Sequence, residues 1–287
     1  LATETKFALA TFAGYNGLSM IISRDQLDAI LPQVTRPARY TGGEWNIVVK
    51  DWDETPLRLA LAYPDLYEIG TSNMAIPILM EIINAQPDAL AERTYAPWPD
   101  MGAAMRTAGI PLFSLETKHS IKDFDIFGFS LEHELTYTNV LEMLDLAGIP
   151  VLSSERDDTC PIIIAGGTCS LSPEPMADFI DLFVMGEGEE VILELLDLLR
   201  RTKAKPAKTR RTTAKNKAIR RNEFLRLAAG IEGVYVPSFY KVEYSDGVLT
   251  AISPTVPEAK PVINRRIVSK LPPPVTRPII PYIEVVQ

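Results

Sequence analysis

Four short segments carry the residue types best able to do chemistry. Residues 64–70 set Asp65, Tyr67 and Gly70 in one turn. Residues 130–137 begin at Ser130 and hold Glu132, His133 and Glu134. Residues 166–173 open with the pair Gly166 and Gly167 and include Cys169. Residues 186–190 read Gly186, Glu187, Gly188, Glu189 and Glu190. Glycines after a strand let a ligand approach the backbone, because there is no Cβ and φ is free to turn positive. Carboxylates can serve as general acids or bases, and a histidine as a base or ligand. Singly, each segment has a plainer reading as a tight turn, the first turn of a helix or a solvated histidine. Four of them at the ends of strands favour a shared site.

Sharper signatures are absent. Gly186-x-Gly188 lacks the third glycine of the dinucleotide fingerprint, and there is neither a Walker A sequence nor a G-x-S-x-G elbow. The two cysteines, Cys160 and Cys169, flank an apolar run, and a strand there holds them too far apart for a disulfide. With two histidines and no C-x-x-C spacing, the residue pattern supports no metal site. Reduced thiols point to the cytoplasm.

The elements that must position these loops alternate between strand and helix from about residue 57 to 201. Residues 57–62, 125–130 and 161–167 are continuous apolar runs, with weaker strands expected over 93–96 and 179–185. Helices are expected over 74–83 and 101–108, from a cap at Asn139 with Glu142 three residues on, and over the segment closing with Arg200 and Arg201. Continuous apolar strands separated by helices imply α/β architecture, a Rossmann-like (flavodoxin-like) parallel sheet with helices on both faces. Ligands of such sheets bind beyond the carboxyl ends of the strands. Further on, residues 234–244 and 248–252 flank Asp246-Gly247, a hairpin signal. Residues 253–287 carry eight prolines and read as an extended arm.

The net charge of −8 conceals an asymmetry. Residues 200–226 hold twelve lysines and arginines against the single acid Glu223, or +11, leaving −19 for the rest. Such a block reads first as a solvated linker and second as an RNA-contacting arm, although no aromatic residue interrupts 200–221 to stack on bases. No apolar run is long enough to span a bilayer. The expected organisation is a poorly ordered extension over 1–24, a domain over 25–201, a basic linker over 202–222, and a hairpin with arm over 223–287.

The motifs taken together resemble the N-terminal cobalamin (B12)-binding region of B12-binding radical SAM proteins. Asp65-x-Tyr67-x-x-Gly70 is similar to that family's D-x-H-x-x-G, with tyrosine in the ligand position. FGFS at 127–130, IIIAGG at 162–167 and LFVMGEGE at 182–189 resemble its strand ends, and residues 36–46 and 95–101 are similar to an uncharacterised subfamily. The resemblance implies that Asp65, Tyr67 and Gly70 face the lower side of a corrin. It also implies that Ser130 meets the displaced benzimidazole, that Gly166 and Gly167 leave room for the nucleotide tail, and that Gly186, Glu187 and Gly188 at the end of the domain belong to the cofactor-binding residues. A neutral phenol is a poor cobalt ligand, so cobalamin is expected base-off without histidine ligation. The family places a radical SAM barrel, with its 4Fe-4S cluster and S-adenosylmethionine, after this region, and its three-cysteine motif does not occur in this chain. The expectation is therefore a cofactor-binding or substrate-positioning module, not catalytic alone, whose partner is that downstream domain of the same polypeptide. The competing readings are a degenerate docking domain, its groove plugged by Tyr67 and Tyr137, and an RNA-contacting part of an RNA-modifying enzyme.

Overall fold

The computed structural model describes residues 19–203, 219–270, 275 and 277–280. Its centre is a six-stranded sheet in the order β2-β1-β3-β4-β5-β6. The strands are β1 (Leu57–Tyr63), β2 (Ala89–Tyr95), β3 (Ile126–Ser130), β4 (Ile162–Gly166), β5 (Leu182–Val184) and β6 (Val234–Tyr235). The first five run parallel and β6 pairs antiparallel to β5. This is the flavodoxin-type order, with its switch between β1 and β3.

The apolar runs form buried strands because both faces are covered. Alternate residues feed two cores: Ala60, Ala62, Phe127, Phe129, Ile163 and Ala165 on one face, and Leu59, Leu61, Ile126, Ile162, Ile164 and Val184 on the other. The first face receives α4 (Pro99–Ala108) and α5 (Tyr137–Leu146). The second receives α3 (Ala75–Asn84), α6 (Val191–Thr202) and α7 (Arg221–Ala228). Before the sheet, α1 (Arg24–Ile30) is capped by Ser23 in a capping box with Gln26, and α2 (Tyr67–Gly70) is a single turn in the first loop.

Several expectations require correction. The strand expected at 93–96 begins four residues earlier, because Glu92 is buried with a partner in Thr117 and does not interrupt it. The helix expected from an Asn139 cap starts at Tyr137 after a tight turn; the Asn139 amide instead donates to the Pro64 carbonyl (2.8 Å), and Glu142 pairs with Arg106. The first hairpin strand expected over 234–244 is broken in two, because Val234 and Tyr235 join the main sheet and Pro237 starts a short turn. The hairpin proper is β7 (Tyr240–Ser245) with β8 (Val248–Pro254). Residues 19–24 of the expected loose extension are held: the Met20 amide donates to Asp123 and Ile22 is buried. The rest of that extension lies outside the described residues.

Residues 204–218 of the basic block also lie outside the described residues. Its described flanks are engaged with the fold. Arg200 binds Asp88, Lys203 binds Asp125, Arg220 binds Glu223, and Arg226 binds Glu258. Arg221 is buried against Asp181, which also takes Arg156 and the Ile163 amide.

Candidate functional site

At the carboxyl ends of β3, β4 and β5 a cavity of about 230 Å³ opens on the α3/α6 face of the sheet. Its floor is Leu61, Ile164 and Val184, and Ile76, Leu79, Ile192 and Leu195 of α3 and α6 form the opposite wall. The void has a cause in the sequence. Gly128 and Gly166 both fall on this face, in the register Gly128↔Ile164 and Ser130↔Gly166; Ile164 and Leu61 close over Gly128, each 3.2 Å from where its Cβ would lie, whereas Gly166 leaves its space unfilled. A Cβ on Gly166 would meet nothing closer than the Val184 carbonyl at 4.0 Å, so its missing side chain is empty space.

Six of the nine sequence-derived residues line this cavity: Ser130, Gly166, Gly167, Gly186, Glu187 and Gly188. Their local roles differ. Gly167 (φ +93°) is required by packing, since a Cβ would lie 2.7 Å from the Leu131 carbonyl. Gly186 (φ +103°) is required by the C-terminal arm, whose Arg266 carbonyl would lie 2.2 Å from a Cβ. At the mouth, Glu132 joins two loops, accepting from the Ser130 hydroxyl (3.2 Å) and the Thr168 hydroxyl (2.7 Å). The acids of the last loop hold the arm. Glu187 accepts from the Val268 amide, and Glu190 and Glu194 pair with Arg266. Among the described residues no lysine or arginine lines the cavity.

Asp65, Tyr67 and Gly70 do not line it. Asp65 closes its own turn, accepting from the Leu66 amide. The Tyr67 hydroxyl donates to Glu44 (2.7 Å) and its ring packs edge-on against Tyr95. Burial, together with the Glu44 carboxylate, pushes this phenol far above its ordinary pKa. A Cβ on Gly70 would lie 2.3 Å from the Tyr95 ring, so this glycine serves the contact with Tyr95. Behind Tyr67 stands a group that sequence reasoning did not single out. Arg93, 1% exposed, pairs with Glu44 (2.8 Å) and Glu116 (2.7 Å), which come from distant segments. A second cavity of about 210 Å³ lies here, between Gly70, Thr71, Ser72, Arg93 and Tyr95 on one side and Val275, Pro278, Ile279 and Ile280 of the arm on the other. Gly128 was also missed, although a glycine inside an apolar strand is a signal of close approach or missing packing.

A polar network underlies the neighbouring edge. Glu92 is buried and accepts from the Thr117 hydroxyl (2.7 Å), which also meets His119 Nδ1 (2.6 Å). Burial pushes the Glu92 carboxyl up to about 7 and the His119 imidazole down to about 4. The His119 ring stacks on Trp52 at 3.5 Å. Among the described residues no group of three or more His, Cys, Asp or Glu could hold a metal ion, and no helix is long and apolar enough to cross a membrane. Cys160 and Cys169 are both buried and free, at opposite ends of β4.

The fold is an α/β domain of flavodoxin type with an apolar cavity at the carboxyl edge of its sheet. The family described as radical SAM proteins, N-terminal, matches residues 75–237, more than half the chain, and the chain belongs to it. An uncharacterized protein of Methanocaldococcus jannaschii is 24% identical over 143 residues, covering 48% of this chain and 26% of that protein. The chain thus spans about a quarter of the length of that relative. Among solved structures, the radical S-adenosylmethionine methyltransferase TsrM of Kitasatospora setae is similar over 71% of this chain and 30% of that one, with 13% identity and a TM-score of 0.37.

Proposed function

We propose that this chain is a cofactor-holding module of a radical SAM enzyme, and that its carboxyl-edge cavity receives the heteroaromatic tail of base-off cobalamin. The observation that carries the reading is the cavity itself, an apolar slot beside Ser130 and Gly166 where the family resemblance expects the tail. An apolar cavity of roughly 150 Å³ suffices for benzene. At about 230 Å³ this one has room for a fused two-ring heterocycle. Ile76, Leu79, Ile164 and Ile192 would sandwich the rings, and Ser130 would turn its hydroxyl from Glu132 to a ring nitrogen. The lining favours an uncharged group, because it holds no lysine or arginine and Glu187 and Glu189 stand at the wall. Bound there, cobalamin supplies organocobalt chemistry, and this chain's residues hold and orient it.

The fit is partial at the other end. The Tyr67 phenol is committed to Glu44 and held neutral, so the reading assigns the cobalt no ligand from this position. The 4Fe-4S cluster and S-adenosylmethionine belong, in this reading, to a further domain of the polypeptide, which is its partner. The plugged-groove alternative expects Tyr67 and Tyr137 in the cavity and neither lines it. RNA contact through 200–226 remains a separate proposal, and its described flanks favour a structural role for the arginines there.

Titrating the chain with hydroxocobalamin tests the reading. A shift of the corrin absorbance to the base-off form with saturation below about 100 μM, a binding free energy beyond roughly −5.5 kcal/mol, supports it. An unchanged spectrum at that concentration ends it.

A further inference from the structure

Among the described residues, three polar side chains line the cavity at the strand ends: Ser130, Glu187 and Glu189. A carboxylate accepts hydrogen bonds and donates none, so Glu187 and Glu189 offer acceptors alone. A serine hydroxyl has one proton and two lone pairs, and what it offers depends on where that proton goes. Here it goes to a neighbour outside the lining. The hydroxyl of Ser130, a residue only 7% exposed, donates to Glu132 Oε1 at 3.2 Å. Ser130 thus turns lone pairs, not a proton, toward a ligand.

Glu132 is held in place to do this. Its Oε2 accepts from the Thr168 hydroxyl (2.7 Å) and the Thr168 amide (3.4 Å). The loops that carry these residues are laced together, the Leu131 amide donating to the Gly166 carbonyl (2.7 Å) and the Cys169 amide to the Leu131 carbonyl (2.9 Å). Gly167, in the left-handed region, leaves space for the carboxylate, since a Cβ there would lie 2.8 Å from Glu132 Oε1. The seat of Glu132 is built into the fold.

We infer that Glu132 is a specificity-determining residue: by taking the Ser130 proton it makes the cavity select flat, uncharged rings that bring an N–H of their own. This rests on the proposed function for the cavity as a ring site. A ring N–H meets the Ser130 oxygen directly. A ring whose polar atoms are all acceptors, the alkylated tail of cobalamin included, sets lone pair against lone pair until Ser130 gives up Glu132. A buried polar group left unmatched is what lets a site reject the wrong ligand strongly.

The test titrates the full chain calorimetrically with 5,6-dimethylbenzimidazole, which has an N–H, and with 1,5,6-trimethylbenzimidazole, in which a methyl replaces that hydrogen. The parent should favour the first by at least about fivefold, the worth of one net hydrogen bond. Glu132→Gln keeps the shape and reverses the sense. The Thr168 amide N–H holds the glutamine oxygen, the glutamine NH2 faces Ser130, and the Ser130 proton is free to point into the cavity. The trimethyl ring and hydroxocobalamin should each bind this variant at least about fivefold more tightly than the parent, and the preference should vanish. In Ser130→Ala it should vanish instead through weaker binding of dimethylbenzimidazole. A preference that survives both substitutions, as a steric effect of the methyl would, overturns the inference. So does a parent that binds the two rings within about twofold of each other. If the rings behave as expected and cobalamin binds neither the parent nor Glu132→Gln, the cofactor reading falls and the selectivity stands. If no ring binds any of the three chains, both fall.

Discussion

Gly166→Val separates the site from the fold. Gly166 lies in β4 outside the left-handed region, and the nearest atom to an added Cβ is 4.0 Å away. The β-carbon of valine therefore enters the cavity without a clash. It adds three carbons against an apolar lining, worth up to about 2.4 kcal/mol at about 0.8 kcal/mol per buried carbon, and removes the entropic penalty of glycine in a strand, roughly 0.5–1 kcal/mol. The mouth is open to solvent, so a net gain of about 1–2 kcal/mol in urea unfolding is expected. The same three carbons occupy space a ring system needs. Displacing their equivalent of ligand contact costs the complex about 2–3 kcal/mol, or roughly 30- to 150-fold in Kd. The assay pairs urea melts with titration by dimethylbenzimidazole and hydroxocobalamin. A stable variant that binds either ligand as tightly as the parent would refute the placement of the ring system in this cavity.

Glu92→Gln should show a pH-dependent gain in stability. The folded carboxyl is raised from 4.5 to about 7, so the fold retains a proton that the unfolded chain gives up, and stability present at pH 4.5 is lost as pH rises to 7. Relative to the parent, the glutamine variant should gain up to about 3 kcal/mol by pH 8 and little at pH 4.5; a pH-independent difference in urea midpoints would contradict this. His119 acts in the opposite sense, with stability falling as pH drops from 6.5 to about 4, and the uncharged amide of His119→Gln should flatten that limb in acid melts. Tyr67→Phe leaves Glu44 without one donor and should cost about 1–2 kcal/mol in thermal unfolding. The same variant should leave the absorbance of bound cobalamin unchanged, and a spectral change would assign the phenol to cobalt. Asp181→Ala strands the buried Arg156 and Arg221 and should cost about 3–5 kcal/mol in urea melts.

The parallel sheet was legible because β1, β3 and β4 are apolar at nearly every position, a pattern produced only where both faces are covered. The last three loops were legible for the same reason, since glycines and a serine ending such strands must lie at one edge. The upstream half of β2 was hidden. Glu92 gives no strand signal locally, and only Glu44, Phe113, Glu116 and Thr117, brought from elsewhere in the chain, satisfy Glu92, Arg93 and Thr94 inside a sheet. The two residues of β6 were too short to carry a period, so their pairing with β5 depends on the packing of α7 against α6.

Within the candidate site, the sequence by itself determined which residues lack side chains at the strand ends, because residue type and alternation fix which face each occupies. Tertiary structure alone decided what uses those gaps. Gly166 opens onto a void, Gly70 receives the Tyr95 ring, and Gly186 receives the backbone of Arg266, eighty residues downstream. The physical reason is that a missing Cβ states only that something is able to come close. Which neighbour does so is set by long-range packing, and no local pattern in the chain encodes it.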